Sequence, residues 1–253
     1  MPVKNQSVIV TGASSGIGAA VAKRFAKEAY DLLLLGRNEI RLKEVQAECK
    51  LTTQKVEILA FDLAEITKFR DAIKHKLSEL SSPTILINNA GLYYQGLLEE
   101  TPDEVWATQF QINLLSAVQL TKILWPIFKK NNKGSVVNIS STLGLKPIAN
   151  SGAYSAIKAA MVNWTQSLAQ EGGAYNIRAN CICPGIVDTP IHSFHTLAAE
   201  QKKDATTQMA KYQLLSEIGQ PTDIAEATYF LASELSRFTT GSTLNVDGGI
   251  NIK

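Results

Sequence analysis

Residues 7–18 read SVIVTGASSGIG, an apolar run that leads directly into three glycines. The run predicts a strand over 7–11, and the amphipathic pattern beyond it predicts a helix over 16–28. Glycines in such a turn let the backbone approach a pyrophosphate, and the helix N-terminus presents free N–H groups. Because the spacing Gly-x3-Gly-x-Gly departs from the commoner dinucleotide fingerprint, a flexible turn remains the alternative. The predicted cofactor-binding residues here are Gly12, Ser14, Ser15, Gly16, Ile17 and Gly18.

Six further apolar runs follow, and longer helical patterns lie between them. The runs are continuous rather than alternating, which is typical of parallel strands buried on both faces. The alternation of strands and helices predicts a doubly wound, Rossmann-like α/β sheet of about seven strands with helices on both faces. We expect one domain over 1–253. The further strands are predicted over 32–35, 56–60, 84–87, 135–140, 177–183 and 243–246, and the further helices over 39–49, 65–80, 102–130, 151–170 and 221–235.

Two predicted helix ends carry local signals. Thr101-Pro102-Asp103-Glu104 predicts a capping box with proline at the first helical position. Gly172-Gly173 predicts the C-cap of the helix over 151–170.

The composition excludes several classes of protein. Of the 253 residues 45% are hydrophobic and the formal net charge is +2, which excludes a disordered chain and gives no reason to expect nucleic acid. The densest apolar run, 32–35, is far shorter than the ~20 residues of a membrane span, so we expect no membrane partner. Residues 1–4 do not begin an export signal, and the odd count of three cysteines favours a cytoplasmic location. His192 and His195 lack nearby acidic or cysteine partners, so we expect no metal site.

The end of the second predicted strand indicates which dinucleotide is bound. It reads Leu35-Gly36-Arg37, so no carboxylate stands at the end of the strand, and Asp31 stands at its start. An acidic residue at the strand end would bind a ribose 2′-OH, whereas a glycine leaves room for a 2′-phosphate that Arg37 can pair with. Arg37 therefore predicts NADP(H), with NAD(H) possible. The alternative is that Arg37 is an ordinary solvated residue at a helix start.

Residues after the third and fourth predicted strands are further candidates for cofactor binding. Asp62 and Leu63 follow the third strand, where a carboxylate can accept a hydrogen bond from the exocyclic amine of adenine. Asn89-Ala90-Gly91 follows the fourth strand and is expected to pass close to the adenine-side ribose. Both stretches are also compatible with ordinary turn chemistry.

A tyrosine and a lysine on one predicted helix are candidates for catalysis. Tyr154 and Lys158 are four residues apart and therefore share a helix face. An adjacent ammonium and a positive nicotinamide favour the phenolate, and lowering the tyrosine pKa from about 10 to ~7 takes about 4 kcal/mol. Such a group can move a proton at a carbonyl or alcohol oxygen.

Two more polar residues complete the constellation. Ser141, at the end of the fifth strand, is predicted to hold the substrate oxygen, and Asn113 is predicted to position a water near Lys158. Lys158 is also expected to bind the nicotinamide ribose. Each residue has an ordinary alternative role. Ser141 is compatible with a strand-end turn and Tyr154 with helix packing. Lys158 is compatible with a solvated charge and Asn113 with a helix kink.

Together these residues resemble the short-chain dehydrogenase/reductase superfamily, over the whole chain and in the form that matches its 253 residues. The stretches 88–91, 184–189 and 241–249 carry the resemblance further. It implies a catalytic tetrad with Tyr154 as general acid/base while hydride passes between nicotinamide and a carbon-bound oxygen. Ser141 is implied rather than Ser140 because of its thirteen-residue spacing to Tyr154. The tetrad is Asn113, Ser141, Tyr154 and Lys158, and the implied nicotinamide-lining residues are Pro184, Gly185, Val187 and Thr189.

The resemblance also bears on cofactor choice and function. Members with arginine at the position of Arg37 usually prefer NADP(H), but many carry a basic residue where this chain has Ser15, so the preference rests on Arg37 alone. The expected function is NADP(H)-dependent reduction of a ketone or 3-oxoacyl carbonyl to an alcohol. The alternatives are an NAD-dependent secondary-alcohol dehydrogenase and a non-catalytic, cofactor-sensing binding module.

The substrate and the partners are implied by the resemblance only. A lid is expected over about 190–216, and the chain is most similar to 3-oxoacyl-[acyl carrier protein] reductases and related carbonyl reductases. Lys129, Lys130 and Lys133 match the basic docking residues of carrier-protein reductases, but Tyr175 stands where another basic residue is expected. Acyl carrier protein is therefore possible but not favoured. A homo-oligomer, dimer or tetramer, is expected through the fourth and fifth helices and the C-terminal strand. The implied substrate-binding residues are Ser141, Leu143, Tyr154 and Ile186.

Overall fold

Seven parallel strands form one sheet in the computed structural model, which describes residues 6–253. The absence of an export signal was inferred from residues 1–4, which lie outside the described part. The strands are β1 (Ser7–Thr11), β2 (Asp31–Gly36), β3 (Val56–Ala60), β4 (Pro83–Asn88), β5 (Gly134–Ile139), β6 (Ile177–Pro184) and β7 (Thr243–Val246). Their order is β3-β2-β1-β4-β5-β6-β7, so the direction of winding reverses between β1 and β4. Ligands of such sheets bind at that reversal, beyond the carboxyl ends of the strands.

Helices cover both faces of the sheet and explain why the strands are apolar throughout. Alternate residues of a strand point to opposite faces, so Val8 packs in one core cluster and Ile9 in the other. The helices of the described residues are α1 (Gly16–Ala26), α2 (Glu39–Cys49), α3 (Arg70–Ser78), α4 (Asp103–Phe110), α5 (Ser116–Asn131), α6 (Gly152–Gly172), α7 (Ala199–Ala210) and α8 (Pro221–Ala232). The first cluster is closed by α1, α2 and α8, and the second by α3, α5 and α6.

The predicted fold class is confirmed, and the predicted helix over 102–130 is not one regular α-helix. A π-helical turn, Gln111–Leu115, lies between α4 and α5, and the helical backbone continues through it. The helix predicted over 65–80 is also shorter, because Leu63–Glu65 forms a separate 3-10 turn before α3 begins. None of the helices in residues 6–253 combines the length and the apolarity needed to cross a membrane.

The prediction of a capping box at Thr101 is wrong. Pro102 has extended dihedrals (φ −61°, ψ 149°), so it precedes α4 instead of opening it. The hydroxyl of Thr101 donates to the carbonyl of Leu97, four residues back, at 2.7 Å. That bond closes the preceding 3-10 turn, and the N-cap of α4 is Pro102, which has no side-chain acceptor for the helix N–H groups.

The predicted end of α6 at Gly172-Gly173 is confirmed, because the helix runs to Gly172 and Gly173 is its C-cap, although neither glycine is left-handed. Gly172 and Gly173 both have right-handed helical dihedrals, and the left-handed residue is Asn176 at φ 53°. Gly172 is needed for packing instead, because a Cβ there would lie 2.7 Å from the carbonyl oxygen of Ile177. The segment predicted as a lid, 190–216, contains two 3-10 turns and α7.

Candidate active site

The glycine turn between β1 and α1 is held by a close approach of three backbone segments. Gly12 has φ 65°, a conformation that favours glycine. A Cβ on Gly18 would lie 2.2 Å from the carbonyl oxygen of Gly12, so the turn closes only with glycine there. Ser15, at the N-cap of α1, makes no side-chain cap. The first N–H groups of α1 therefore lack a side-chain acceptor, as an anion-binding helix start requires.

Two neighbouring loops contact this turn. Asn89 donates from Nδ2 to the carbonyl of Thr11 at 2.9 Å, so its side chain ties the end of β4 to the glycine turn. A Cβ on Gly16 would come within 3.4 Å of the Thr189 side chain, so the loop after β6 approaches α1. The structure thus brings the residues predicted for the diphosphate next to those predicted for the nicotinamide. This narrow, glycine-lined cradle fits a dinucleotide.

The remaining predicted cofactor residues divide between the crevice and the core. Ser14 Oγ would lie 3.4 Å from a Cβ on Gly36, which places Ser14 beside the end of β2. Ile17 packs against the first core cluster and Ala90 against the second, in which Leu63 is buried. Gly185 closely approaches Asp247, because a Cβ there would lie 2.7 Å from Asp247 Cα.

Arg37 has an acidic neighbour that the order of residues in the chain did not reveal. Its Nη1 lies 3.9 Å from Asp62 Oδ2, since β2 and β3 are adjacent and both residues follow their carboxyl ends. Asp62 also accepts a bond from the N–H of Ala64 at 2.9 Å. The Arg37 side chain is 69% exposed. Arginine and carboxylate thus flank the position where the adenosine end of a dinucleotide is predicted.

The four predicted tetrad residues are all buried at the carboxyl ends of β4 and β5. Their exposed fractions are 0% for Asn113, 9% for Ser141, 8% for Tyr154 and 3% for Lys158. Gly91 joins two of them, because a Cβ there would lie 3.1 Å from Asn113 Oδ1 and 3.6 Å from Lys158 Nζ. Lys158 Nζ lies 5.5 Å from the centroid of the Tyr154 ring.

The hydrogen bonds of the tetrad show how each side chain is held. Lys158 Nζ donates to the carbonyl of Ile139 at 2.8 Å. Ser141 Oγ accepts the N–H of Leu143 at 3.1 Å, which orients the hydroxyl and fixes the next loop. Asn113 accepts from the N–H of Leu92 at 2.7 Å and donates to its carbonyl at 2.9 Å.

Burial dominates the electrostatics of the pair on α6. It raises the pKa of Tyr154, and a hydrogen bond with Ser141 opposes this with a smaller effect. Burial also lowers the pKa of Lys158 to about 8, against the smaller influence of Cys181 and Cys183. The direction at Tyr154 is opposite to the one expected from the neighbouring ammonium, because burial is the largest influence on this phenol. The protein alone therefore keeps the phenol protonated.

Sequence reasoning missed Tyr93 and Ser151 beside the tetrad. The rings of Tyr93 and Tyr154 meet edge to face, with centroids 4.9 Å apart, and Tyr93 Oη lies 2.9 Å from Ser151 Oγ. Tyr93 stands in a loop without periodicity, so no pattern in the chain marks it. Among residues 6–253 no group of three metal-ligating side chains is clustered.

The predicted docking lysines are partly engaged elsewhere. Lys129 Nζ lies over the ring of Tyr175 at 3.9 Å, and Lys133 pairs with Glu234 at 2.6 Å.

In the loop after β6, the carbonyl of Ile186 accepts the N–H of Gly219 at 2.9 Å, and Val187 bridges to Gly219. This loop therefore joins the predicted nicotinamide site to the segment that follows α7.

Comparison with known proteins finds relatives that match nearly the whole chain. A family model described as enoyl-(acyl carrier protein) reductase matches residues 12–251. A 3-oxoacyl-[acyl-carrier-protein] reductase of Chlamydia trachomatis is 32% identical over 248 residues, covering 97% of both chains. A D-beta-hydroxybutyrate dehydrogenase of Cupriavidus necator is 30% identical and covers 98% of both chains. The crystal structure of L-sorbose reductase from Gluconobacter frateurii, complexed with NADPH and L-sorbose, has a TM-score of 0.93 at 29% identity, covering 100% of both chains.

Proposed function

The chain belongs to the short-chain dehydrogenase/reductase superfamily of nicotinamide-dependent oxidoreductases, and we propose that it reduces a ketone or 3-oxoacyl carbonyl to an alcohol with NADP(H). The observation that carries the proposal is the burial of Asn113, Ser141, Tyr154 and Lys158 together beside the glycine-lined cradle. NADPH, when bound, supplies the hydride.

The proposed roles follow from where the side chains lie. Ser141 donates a hydrogen bond to the substrate carbonyl oxygen, and Tyr154 gives its phenolic proton to the same oxygen. Burial raises the pKa of Tyr154, which keeps the phenol protonated before the transfer but also makes it a weaker acid. Lys158 binds the nicotinamide ribose, and Asn113 holds the loop after β4 through the Leu92 backbone.

The cofactor is proposed to lie across the crevice from β2 to β6. Arg37 is proposed to bind the 2′-phosphate and Asp62 the adenine, and the NADPH complex of the related L-sorbose reductase supports this preference. The residues proposed to hold the rest of the molecule are Gly12, Ser14, Ser15, Gly16, Ile17, Gly18, Leu63, Asn89, Ala90, Gly91, Tyr154, Lys158, Pro184, Gly185, Val187 and Thr189.

The substrate is proposed to be a small carbonyl compound that contacts Ser141, Leu143, Tyr154 and Ile186 under a lid at 190–216. The engagement of Lys129 with Tyr175 weighs against docking of acyl carrier protein. Oxidation of a secondary alcohol with NAD is the second candidate, since the Cupriavidus necator relative is a D-beta-hydroxybutyrate dehydrogenase. We further infer a homo-oligomer and a reducing, cytoplasmic setting, in which the free thiols of Cys49, Cys181 and Cys183 persist.

Replacing Tyr154 by phenylalanine tests the catalytic proposal. With NADPH and a panel of ketones that includes ethyl acetoacetate, Tyr154→Phe should lower kcat by about 100-fold or more, because a positioned general acid contributes about that much. The dissociation constant of NADPH should stay within about two-fold of the wild type. Tyr175→Phe, distant from the tetrad, is the matched control. Full turnover by Tyr154→Phe would refute the assignment, and an inactive wild type across the whole panel would favour the cofactor-sensing alternative.

A further inference from the structure

The ring of Tyr93 is the aromatic neighbour that the structure places against Tyr154. The ring centroids lie 4.9 Å apart at an interplanar angle of 69°, an edge-to-face arrangement. Tyr93 is half-buried, so its ring separates the Tyr154 ring from solvent on one side.

Two contacts hold Tyr93 in this position. The backbone of the preceding residue, Leu92, is bound at both its N–H and its carbonyl by the amide of Asn113, at 2.7 and 2.9 Å. The Tyr93 hydroxyl hydrogen-bonds with Ser151, which is 1% exposed and lies at the N-cap of α6, three residues before Tyr154. Tyr93 is therefore fixed at both ends, once to the π-helical turn that carries Asn113 and once to the helix that carries Tyr154.

The loop around Tyr93 is tied to the same helix start by a backbone bond. The N–H of Gly96 donates to the carbonyl of Asn150 at 2.8 Å. The Ser151 hydroxyl makes no bond to the helix N–H groups, so its contact with Tyr93 serves the loop and not the cap.

We propose that Tyr93 is a positioning residue for the reaction, which holds the Tyr154 phenol in its catalytic orientation and shields it from water. The inference rests on the proposed catalytic role of Tyr154. It gives Asn113 a structural part in catalysis, because the Asn113 amide places Tyr93 through the Leu92 backbone.

The groups that face Tyr154 come from three other segments and from its own helix. They are the Tyr93 hydroxyl from the loop after β4, the Ser141 hydroxyl from the loop after β5, the Cys183 thiol from β6, and Lys158 on α6. Burial is the largest influence and raises the pKa of Tyr154. Removing the Tyr93 ring admits water, so we expect the Tyr154 pKa to move down toward the ordinary tyrosine value.

Kinetics of three variants separate the ring from the hydroxyl. Tyr93→Ala should lower kcat with ethyl acetoacetate and NADPH by about ten-fold or more, since small misplacements of a catalytic group are costly. Tyr93→Phe keeps the ring and should stay within about three-fold of the wild type, as should Ser151→Ala, which removes the same hydrogen bond. Tyr94→Ala, at the adjacent and more exposed tyrosine, is the matched control and should leave kcat unchanged. The dissociation constant of NADPH should stay constant throughout, which shows that the variants fold.

A titration tests the inference without a substrate. With tyrosine labelled by 13C at the ring ζ carbon, the Tyr154 resonance is identified by its loss in Tyr154→Phe. At a pH of about 10, where ordinary tyrosines are half ionised, Tyr154 should be protonated in the wild type and in Tyr93→Phe but partly ionised in Tyr93→Ala. If Tyr93→Ala changes neither kcat nor this titration while Tyr154→Phe is inactive, the inference is overturned. If Tyr154→Phe stays active, the proposed function fails, and the titration alone decides whether Tyr93 controls the phenol.

Discussion

Arg37 and Asp62 follow neighbouring strands and lie 3.9 Å apart, so their charges should act with opposite sign on the proposed 2′-phosphate. Arg37→Gln should weaken NADPH binding by about ten-fold or more, because a charge-assisted hydrogen bond contributes about 1.5–3 kcal/mol. NADH binding should change by less than about two-fold, since NADH lacks the phosphate. Fluorescence titration with each dinucleotide measures both dissociation constants.

A variant of Asp62, the ion-pair partner of Arg37, tests the same assignment in the opposite direction. Asp62→Asn keeps an oxygen that can accept the N–H of Ala64 but removes the carboxylate 3.9 Å from Arg37. It should tighten NADPH binding by about two- to five-fold, the range of exposed ion pairs. Lys50→Gln, at the far end of α2, is the control for loss of one positive charge. Equal weakening of NADPH and NADH by Arg37→Gln would contradict the assignment of the 2′-phosphate site.

Lys158 should destabilise the folded protein at neutral pH. Burial lowers its pKa from 10.5 to about 8, so the unfolded chain holds this proton more tightly than the folded chain does. The cost is fully present below pH ~8 and disappears as the pH rises to about 10.5, so this group makes the protein more stable with increasing pH across that window.

Lys158→Met measures this cost. The shift corresponds to about 3 kcal/mol and the lost bond to Ile139 to about 1 kcal/mol, so the variant should be more stable than the wild type by roughly 2 kcal/mol at pH 7. The difference should shrink or reverse by pH ~10.5. Urea unfolding at several pH values tests this. A variant that is less stable at pH 7, or a difference that does not depend on pH, would contradict the expectation.

At the scale of elements, the sequence predicted where strands and helices lie better than how they end. The apolar runs located all seven strands, because strands buried on both faces leave an unmistakable pattern. The π-helical turn at Gln111–Leu115 escaped prediction, since one extra residue in a turn leaves the hydrophobic spacing almost unchanged. The capping box at Thr101 failed because α4 begins one residue later than predicted, which places Pro102, a residue without a side-chain acceptor, at the N-cap.

An ion pair attaches the proposed lid, residues 190–216, to the loop after β6. Lys202 on α7 lies 2.7 Å from Asp188, whose N–H donates to the carbonyl of Gly219 at 2.9 Å. Ala210 is the one residue of α7 that is fully buried. A cavity of about 380 Å³ lies between α7 and the segment after it. With so few buried contacts, the ion pair is an important attachment of this helix.

Lys202→Gln should therefore loosen α7. Amide hydrogen exchange of the peptide that covers 199–210 should be faster, and the KM for ethyl acetoacetate should rise by about two- to five-fold, as expected for loss of a partly exposed ion pair. Asp188→Asn should have the same effect. Lys203→Gln is the matched control, because the adjacent Lys203 makes no ion pair among the described residues. Equal acceleration by the Lys203 and Lys202 variants would show that the pair does not hold the lid.

At the scale of the whole molecule, the active site is a property of topology. Ser141 and Lys158 are predicted from their spacing to Tyr154, and Asn113 from the family resemblance. Tyr93 and the Arg37–Asp62 pair are not, since they depend on which strands are neighbours and on how a loop without periodicity folds. Strand order is set by packing across the whole sheet, and a local pattern does not contain it.

The edge of the sheet at β7 is where we expect a second copy of the chain to bind. β7 ends the strand order, and Phe238, Leu235 and Phe230 are exposed by 97%, 69% and 43%. A two-fold interface buries each side chain twice, so Phe238→Asp removes about 3–6 kcal/mol and should raise the dimer dissociation constant by about 100-fold or more. Light scattering at micromolar protein should then give a smaller mass than the wild type. Leu51→Asp, at an apolar residue 84% exposed beyond α2, should leave the mass unchanged; an unaltered mass in Phe238→Asp would place the interface elsewhere.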